Sequence, residues 1–461
     1  MCGVFYIYDQ TRSADDLQCD FAGIAKKGLS DRGPDGASEA QGEHWFAMHC
    51  LLSITGATKQ PASWEHGSYL FNGEIYNDWQ QYAPDYGDAD YLKDRLDRDG
   101  VAAMHDLDGE FALVVVDETK GLLHLAADTF GTKPFYYAAD NGRIAAASYD
   151  FILQKCGFED AQRVPANTAL TFHLETGKLV EQRLLRPFDF NNQVCDSYEP
   201  FGNAFNFAVR KRSERVQRKI YVPVSSGHDS GIIAAELDAM DIPFTAYGFP
   251  FGEIEEIFNE RYARFRNRNI RCEILQPDMA ELDLVQRELQ SGIPKFRLTL
   301  DPNAPSLYAD DDIRNITGYI SAAYIAKKGR ENGELIALSG QGADEIISDY
   351  YNPHSNSRRS HFRGEWEKAT EPWPSFYGGW NKLFLESNER IVGHYGIETR
   401  YPFLDYGVVQ AFLNLTPDMK RDRYKGCIAH RMDQLGYPYH DRKLGFAGFE
   451  RELPDQITTN V

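Results

Sequence analysis

The chain has 461 residues, enough at roughly 100–200 residues per domain for two or three domains, and 42% of them are hydrophobic, so each can bury a core. Its formal charge of −20 argues against broad contact with nucleic acid or anionic membranes, which needs clustered Lys and Arg. No stretch approaches the roughly 18 apolar residues of a membrane span. The start, Met1-Cys2-Gly3-Val4-Phe5, lacks a basic region followed by an apolar one, so no signal peptide is expected. Seven cysteines are scattered without a CxxC pair; a disulfide framework or zinc site is not expected, and a reducing cytoplasm is the expected setting.

Residues 1–186 read as β-rich. Short apolar runs at Gly3–Tyr8, Tyr69–Phe71, Phe111–Val116 and Leu122–Ala126 are separated by Gly, Asp and Asn turns, which predicts packed antiparallel sheets. Residues 187–200, PFDFNNQVCDSYEP, carry no period and are expected to form a linker. Residues 201–461 then alternate helix and strand: a helix over Gly202–Gln217, strand Lys219–Val224, a helix from near Ser230, strand Phe244–Gly248, helix Glu253–Phe265, strand Arg271–Leu275 and strand Glu334–Leu338. That alternation predicts a doubly wound parallel sheet. The expected class is α/β in both parts.

Cys2 follows the initiator Met. Loss of Met1 would expose an α-amine beside its thiol, and an amine with a pKa near 7.7–8.0 can serve as base for its own side chain. Asn72-Gly73 follows a strand, and a side-chain amide beside a Gly N–H can hold the oxyanion formed when a thiol attacks an amide. Taken singly, this segment and Arg32-Gly33-Pro34-Asp35 also read as turns. In the second part, Ser225-Ser226-Gly227-His228-Asp229-Ser230-Gly231 joins a strand to a helix. Its small residues let backbone N–H groups close on phosphate, and the helix N-terminus adds a favourable dipole. Ser339-Gly340-Gln341-Gly342-Ala343-Asp344-Glu345 offers a second such turn. Asp229 and Asp344 together could hold Mg²⁺ on a triphosphate. Alone, each loop reads equally as a capped strand–helix turn.

In this order, MCGVF, DRGPDG, FNGEIYN and DTFGTKPFYY resemble class II glutamine amidotransferases. The resemblance implies a four-layer α/β/β/α N-terminal-nucleophile hydrolase that releases ammonia from glutamine. Cys2 would be the nucleophile, Asn72 and Gly73 the oxyanion hole, and Glu74 and Asp88 substrate contacts. The family's carboxylate-clamping Arg, in a segment like HxRLSI, is replaced by Leu51, and Arg32 is the expected substitute. The later segments, with Gly396-Ile397-Glu398-Thr399-Arg400-Tyr401-Pro402-Phe403-Leu404-Asp405, resemble the asparagine-synthetase domain, an ATP pyrophosphatase fold. There, the resemblance implies, a carboxylate attacks the ATP α-phosphate and ammonia displaces AMP. Ser225, Ser226, Gly227, Asp229, Ser230, Ser339, Gly340, Lys425 and Lys443 would bind ATP, with Asp229 and Asp344 on Mg²⁺. Small molecules, glutamine and a carboxylate acceptor with aspartate as default, are the expected partners, with a homodimer possible for such folds. An intramolecular amide-forming ligase, a specialised acceptor and a non-catalytic binding protein stay open as alternatives.

Overall fold

The computed structural model describes residues 2–441 apart from 57, 84–85, 141, 297–311 and 354–358. The first part contains twelve strands: β1 Gly3–Asp9, β2 Gly36–Gln41, β3 Trp45–Leu51, β4 Ala62–Trp64, β5 Gly67–Ile75, β6 Gly109–Asp117, β7 Leu122–Ala127, β8 Tyr136–Asp140, β9 Arg143–Ala147, β10 Gln162–Arg163, β11 Thr168–His173 and β12 Lys178–Leu184. Three helices accompany them, α1 Ala14–Leu29, α2 Asp88–Asp99 and α3 Asp150–Lys155. The strands form two six-stranded sheets, β10-β8-β9-β1-β3-β2 and β12-β11-β7-β6-β5-β4, with neighbours antiparallel in both.

Alternation along the strands produces the layers. In β1, Val4, Tyr6 and Tyr8 point into a core shared with Leu70, Val114 and Leu125 of the other sheet. Phe5 and Ile7 point the opposite way, onto Leu17, Phe21 and Ile152 of α1 and α3. On the far face of the second sheet, Phe71, Ile75 and Leu113 pack on Leu92 and Leu96 of α2. Both faces of the central strands are thus buried, and the stack is α/β/β/α.

The second part has helices α4 Glu199–Ser213, α5 His228–Ala239, α6 Glu255–Asn267, α7 Met279–Gly292, α8 Thr317–Glu331, α9 Pro374–Tyr377, α10 Gly379–Gly393, α11 Tyr406–Asn414, α12 Pro417–Arg421 and α13 Gly426–Gln434. Its strands β13 Lys219–Pro223, β14 Thr245–Gly248, β15 Arg271–Ile274, β16 Glu334–Leu338 and β17 Glu398–Arg400 form a parallel sheet ordered β15-β14-β13-β16-β17. The winding reverses between β13 and β16. Beyond the carboxyl ends of strands at such a switch point, an open α/β sheet leaves a crevice for ligands.

Three boundaries differ from the sequence expectation for local reasons. Helix α4 ends at Ser213, whose hydroxyl bonds back to the Val209 carbonyl at 2.7 Å, and Arg215 then takes φ +55°. Helix α5 begins at His228, placing Asp229 and Ser230 in its first turn. Helix α6 begins only at Glu255, because Glu253 is drawn away to the loop after β13.

The two parts meet through buried charge. Glu389 of α10 accepts from Arg32 Nη2 at 3.1 Å and from Lys133 Nζ at 3.3 Å. Glu110 of β6 pairs with Arg212 of α4 at 2.7 Å, and Arg212 also reaches Asp405 at 2.8 Å. Arg390 of α10 meets Asp150 at 2.7 Å. Of these groups only Asp150 is not buried.

Candidate active site

The candidate residues of the first site stand at the N-terminal end of β1, on β5 and at the start of α2. Cys2 directly precedes β1, and the Leu52 N–H donates to its Sγ at 3.5 Å. Burial, reinforced by the carboxylates of Glu398 and Asp88, pushes the thiol up to about 12. It is therefore protonated at neutral pH and needs a base, the role an exposed α-amine on Cys2 would fill.

Asn72 is fully buried on β5, and neither its amide N–H₂ nor its amide oxygen has a hydrogen-bond partner among the described residues. A buried amide without a protein partner calls for an explanation; a donor held ready for a developing oxyanion supplies one. Gly73 follows at φ +127°, and a Cβ there would lie 1.8 Å from the Glu110 carbonyl oxygen on β6. Only glycine allows this peptide to turn while β5 stays paired to β6. Gly73→Ala is expected to lower glutamine-dependent ammonia release by at least about a hundredfold, measured on the purified full-length chain.

Glu74 accepts from the Thr55 hydroxyl at 2.6 Å and lies 3.1 Å from Arg400 Nη2. Its carboxyl is raised to about 7, with burial outweighing the pull of Arg400. Asp88, the first residue of α2, accepts from its neighbour Ala89 N–H at 2.8 Å and from Ile75 N–H at 3.4 Å. Burial, then the nearby Glu74 and Glu398, drive it well above the usual carboxylate range.

Arg32 does not join this set. Its Nη1 donates to the Tyr149 hydroxyl at 2.8 Å and the Glu389 carbonyl at 3.1 Å, its Nη2 to the Glu389 carboxylate, and its Nε to the Cys2 carbonyl at 3.1 Å. The expectation that Arg32 clamps a substrate carboxylate is corrected: its donors are engaged by the protein, and it holds the chain beside Cys2. Lys133, from the DTFGTKPF segment, is likewise a junction residue, donating to the Thr399 carbonyl at 2.6 Å.

The second site lies where the winding of the parallel sheet reverses. The loop after β13 is folded on its own hydroxyls. Ser230 Oγ accepts from the Ser225 N–H at 3.0 Å, and Ser225 Oγ accepts from the Gly227 N–H at 3.1 Å. Buried Arg261 of α6 braces the loop from below, donating to the Ser225 and Gly227 carbonyls. Gly231 makes room for it, since a Cβ would stand 2.6 Å from Arg261 Nη2. Ser226 is occupied differently: its N–H donates to Glu253 at 2.6 Å, and its hydroxyl also meets that carboxylate. A carboxylate therefore takes the backbone donor assigned from sequence to a phosphate.

The loop after β16 approaches closely. A Cβ on Gly340 would fall 2.7 Å from Asp229 Cβ, so glycine at 340 lets the two loops touch. The Ser339 N–H donates to the Arg400 carbonyl at 3.0 Å. One π-helical turn over Ala343–Ile347 then carries Asp344. Lys425, 5% exposed and in the left-handed conformation at φ 49°, places Nζ 2.5 Å from Asp229 and 2.9 Å from Asp344. The two carboxylates raise its ammonium well above the ordinary range despite burial. Lys443 lies outside the described residues.

Sequence reading missed four contributors: Arg261, Glu253, Glu389 and the side chain of Arg400. Arg400 stood within a quoted motif, but its partner Glu74 is over 300 residues away in the chain.

Residues 1–181 match a family model described as a glutamine amidotransferase domain. Curated relatives named as glutamine-hydrolysing asparagine synthetases come from Methanocaldococcus jannaschii (26% identical, 76% of this chain and 64% of that protein), Acanthamoeba polyphaga mimivirus (25%, 93% and 78%) and Gallus gallus (23%, 91% and 78%). The chain thus spans about two thirds to four fifths of their length. Among solved structures, a glutamine PRPP amidotransferase from B. subtilis aligns over 89% of this chain and 92% of its own at 12% identity, with a TM-score of 0.33, too slight a likeness to transfer any detail. Residues 1–181 are thus similar to glutamine amidotransferase domains, and most of the chain is similar to proteins named as glutamine-hydrolysing asparagine synthetases.

Proposed function

We propose that the chain adenylates a carboxylate with ATP and amidates it with ammonia released from glutamine. The observation that carries this reading is the convergence of Asp229, Asp344 and Lys425 at the sheet's switch point, in a chain that also holds Cys2 just before β1 and, buried on β5, the Asn72 amide without a partner among the described residues. Cys2 would attack the glutamine side-chain amide, its proton passing to its own α-amine. Asn72 and Gly73 would hold the oxyanion, ammonia would leave with the proton returned from the α-amine, and water would then hydrolyse the γ-glutamyl thioester, releasing glutamate and restoring the thiol. In the second domain an acceptor carboxylate oxygen would attack the α-phosphorus and pyrophosphate would leave, with Lys425 beside the developing charge. Ammonia would then attack the acyl carbon and expel AMP. Asp229 and Asp344 would hold Mg²⁺, which supplies neutralisation of the triphosphate.

Aspartate is the proposed acceptor and a homodimer the proposed state. The exposed Leu179, Val180 and Leu184 on the edge strand β12 support self-association. Seven free cysteines support a reducing, cytoplasmic setting, and the charge of −20 supports small molecules rather than nucleic acid as partners. The presence of a nucleophile and oxyanion donors favours amidotransfer over intramolecular ligation.

Aspartate labelled with ¹⁸O in its side-chain carboxylate tests the chemistry. One labelled oxygen is expected in the AMP recovered, by mass spectrometry. Label in inorganic phosphate, with ADP as the nucleotide product, would reject adenylation.

A further inference from the structure

The nucleophile and the oxyanion donors of the first domain stand on different sheets. Cys2 precedes β1, in the sheet β10-β8-β9-β1-β3-β2, and Asn72-Gly73 lie on β5, in the sheet β12-β11-β7-β6-β5-β4. Apolar side chains such as Val4, Tyr6, Leu70 and Val114 fill the space between the two. Apolar burial is non-directional, and by itself it does not fix one sheet along the other as closely as an oxyanion hole requires.

His49 of β3 supplies a directional link. Its Nε2 lies 3.2 Å from the Phe71 carbonyl oxygen on β5, and the residue is fully buried. Facing a carbonyl, Nε2 carries the proton and donates. Nδ1 is then an unprotonated acceptor, and it has no hydrogen-bond partner among the described residues. Burial holds the ring neutral, its pKa lowered to about 4. An apolar side chain would avoid the cost of the orphaned Nδ1; the bond to Phe71 is what the imidazole adds.

The Phe71 N–H is held too, donating to Oε1 of buried Gln60 at 2.7 Å. In an antiparallel ladder the N–H and C=O of one residue face one side, and those of the next residue face the other. Phe71 turns both groups to His49 and Gln60, Asn72 turns its own to β6, and Gly73 turns its N–H back to the edge that Phe71 occupies. The Asn72 side chain and the Gly73 N–H thus follow directly on a clamped residue. The same strand that carries His49 leads to the thiol, because the Leu52 N–H just beyond β3 donates to Cys2 Sγ at 3.5 Å.

We propose that His49 and Gln60 are positioning residues for amide hydrolysis, which clamp the backbone of Phe71 and so hold the oxyanion donors of β5 in register with the Cys2 thiol across the gap between the sheets. The inference rests on the reading of the first domain as a glutaminase and adds to it two residues that act through β5.

The test uses the full-length chain with Met1 shown to be absent. His49→Met removes the donor, His49→Gln restores an N–H near the Nε2 position, and Gln60→Met removes the acceptor of the Phe71 N–H. Ammonia release from L-glutamine is followed beside alkylation of Cys2 by iodoacetamide, read on the N-terminal peptide by mass spectrometry. Alkylation needs the thiol and builds no oxyanion. His49→Met and Gln60→Met are each expected to lower kcat by about tenfold to a hundredfold, with KM for glutamine and the alkylation rate within about threefold, and His49→Gln to recover most of the loss. A kcat within about threefold of the wild type in either folded methionine variant would overturn the inference. Equal losses in His49→Gln and His49→Met, or a fall in alkylation that matches the fall in kcat, would overturn it as well, because each marks a general disturbance of packing. If one methionine variant does not fold, the other carries the test; if neither folds, the role is structural and the inference falls. No ammonia from glutamine with the wild-type chain would overturn the glutaminase reading itself, and the inference with it.

Discussion

Cys2→Ala is expected to abolish glutamine-dependent product formation, by about 10⁴-fold or more, while leaving ammonia-dependent formation intact. The thiol is the only group at this position able to form the covalent intermediate, and alanine leaves Asn72 and Gly73 in place without a nucleophile. Alanine also disturbs little, because among the described residues the hydrogen-bond partner of the partly buried thiol is the Leu52 backbone. The second site shares no side chain with Cys2, so added ammonium should support the same AMP yield as in the wild type. Retention of Met1 should mimic the variant, since the thiol, pushed up to about 12, then lacks its own α-amine as base. N-terminal mass spectrometry of each preparation makes the comparison decisive. Glutamine-dependent turnover in Cys2→Ala near the wild-type rate would reject the assignment.

Glu389→Gln is expected to destabilise the chain by about 3–5 kcal/mol, read from urea unfolding of the full-length protein. The carboxylate is fully buried and faces Arg32 and Lys133, both fully buried, with the Tyr401 hydroxyl donating to it at 2.9 Å. Glutamine fills the same space and keeps one acceptor, so the change isolates the charge. Lys133 then keeps Glu110 at 3.6 Å and the charge of Glu398, and the Arg32 guanidinium loses a buried carboxylate. Arg32 also holds the Cys2 carbonyl, so glutaminase activity should fall before the chain unfolds. A loss below about 1 kcal/mol would show that the junction does not depend on this charge.

The packed antiparallel sheets of the first domain were legible because short apolar runs, as in β1, β5 and β6, are separated by turn residues, and the α/β/β/α order followed from the family resemblance. The phosphate-type loops were legible because small residues sit between an apolar strand and a helix, a local signal. Asp229 falls in the first turn of α5, while Asn72 and Gly73, expected after a strand, lie inside β5, paired to β6. What the sequence hid is what the tertiary fold creates. Arg32 and Lys133 sit in segments that look like part of a site, yet both turn to Glu389 across the junction. Glu253, expected to begin a helix, instead reaches back to Ser226. No spacing rule links Arg400 to Glu74, or Lys425 to the pair Asp229 and Asp344, because each contact closes only when distant strands align.

The central claim, that one chain couples amide hydrolysis to adenylation, is tested most directly by product stoichiometry. The full-length chain is supplied with ATP, Mg²⁺, glutamine and aspartate, then with other carboxylic acids, and products are counted by mass spectrometry. AMP, pyrophosphate, glutamate and the new amide are expected in equal amounts for the true acceptor. ADP and phosphate as the nucleotide products, or glutamate formed with no AMP across every acceptor, would contradict it.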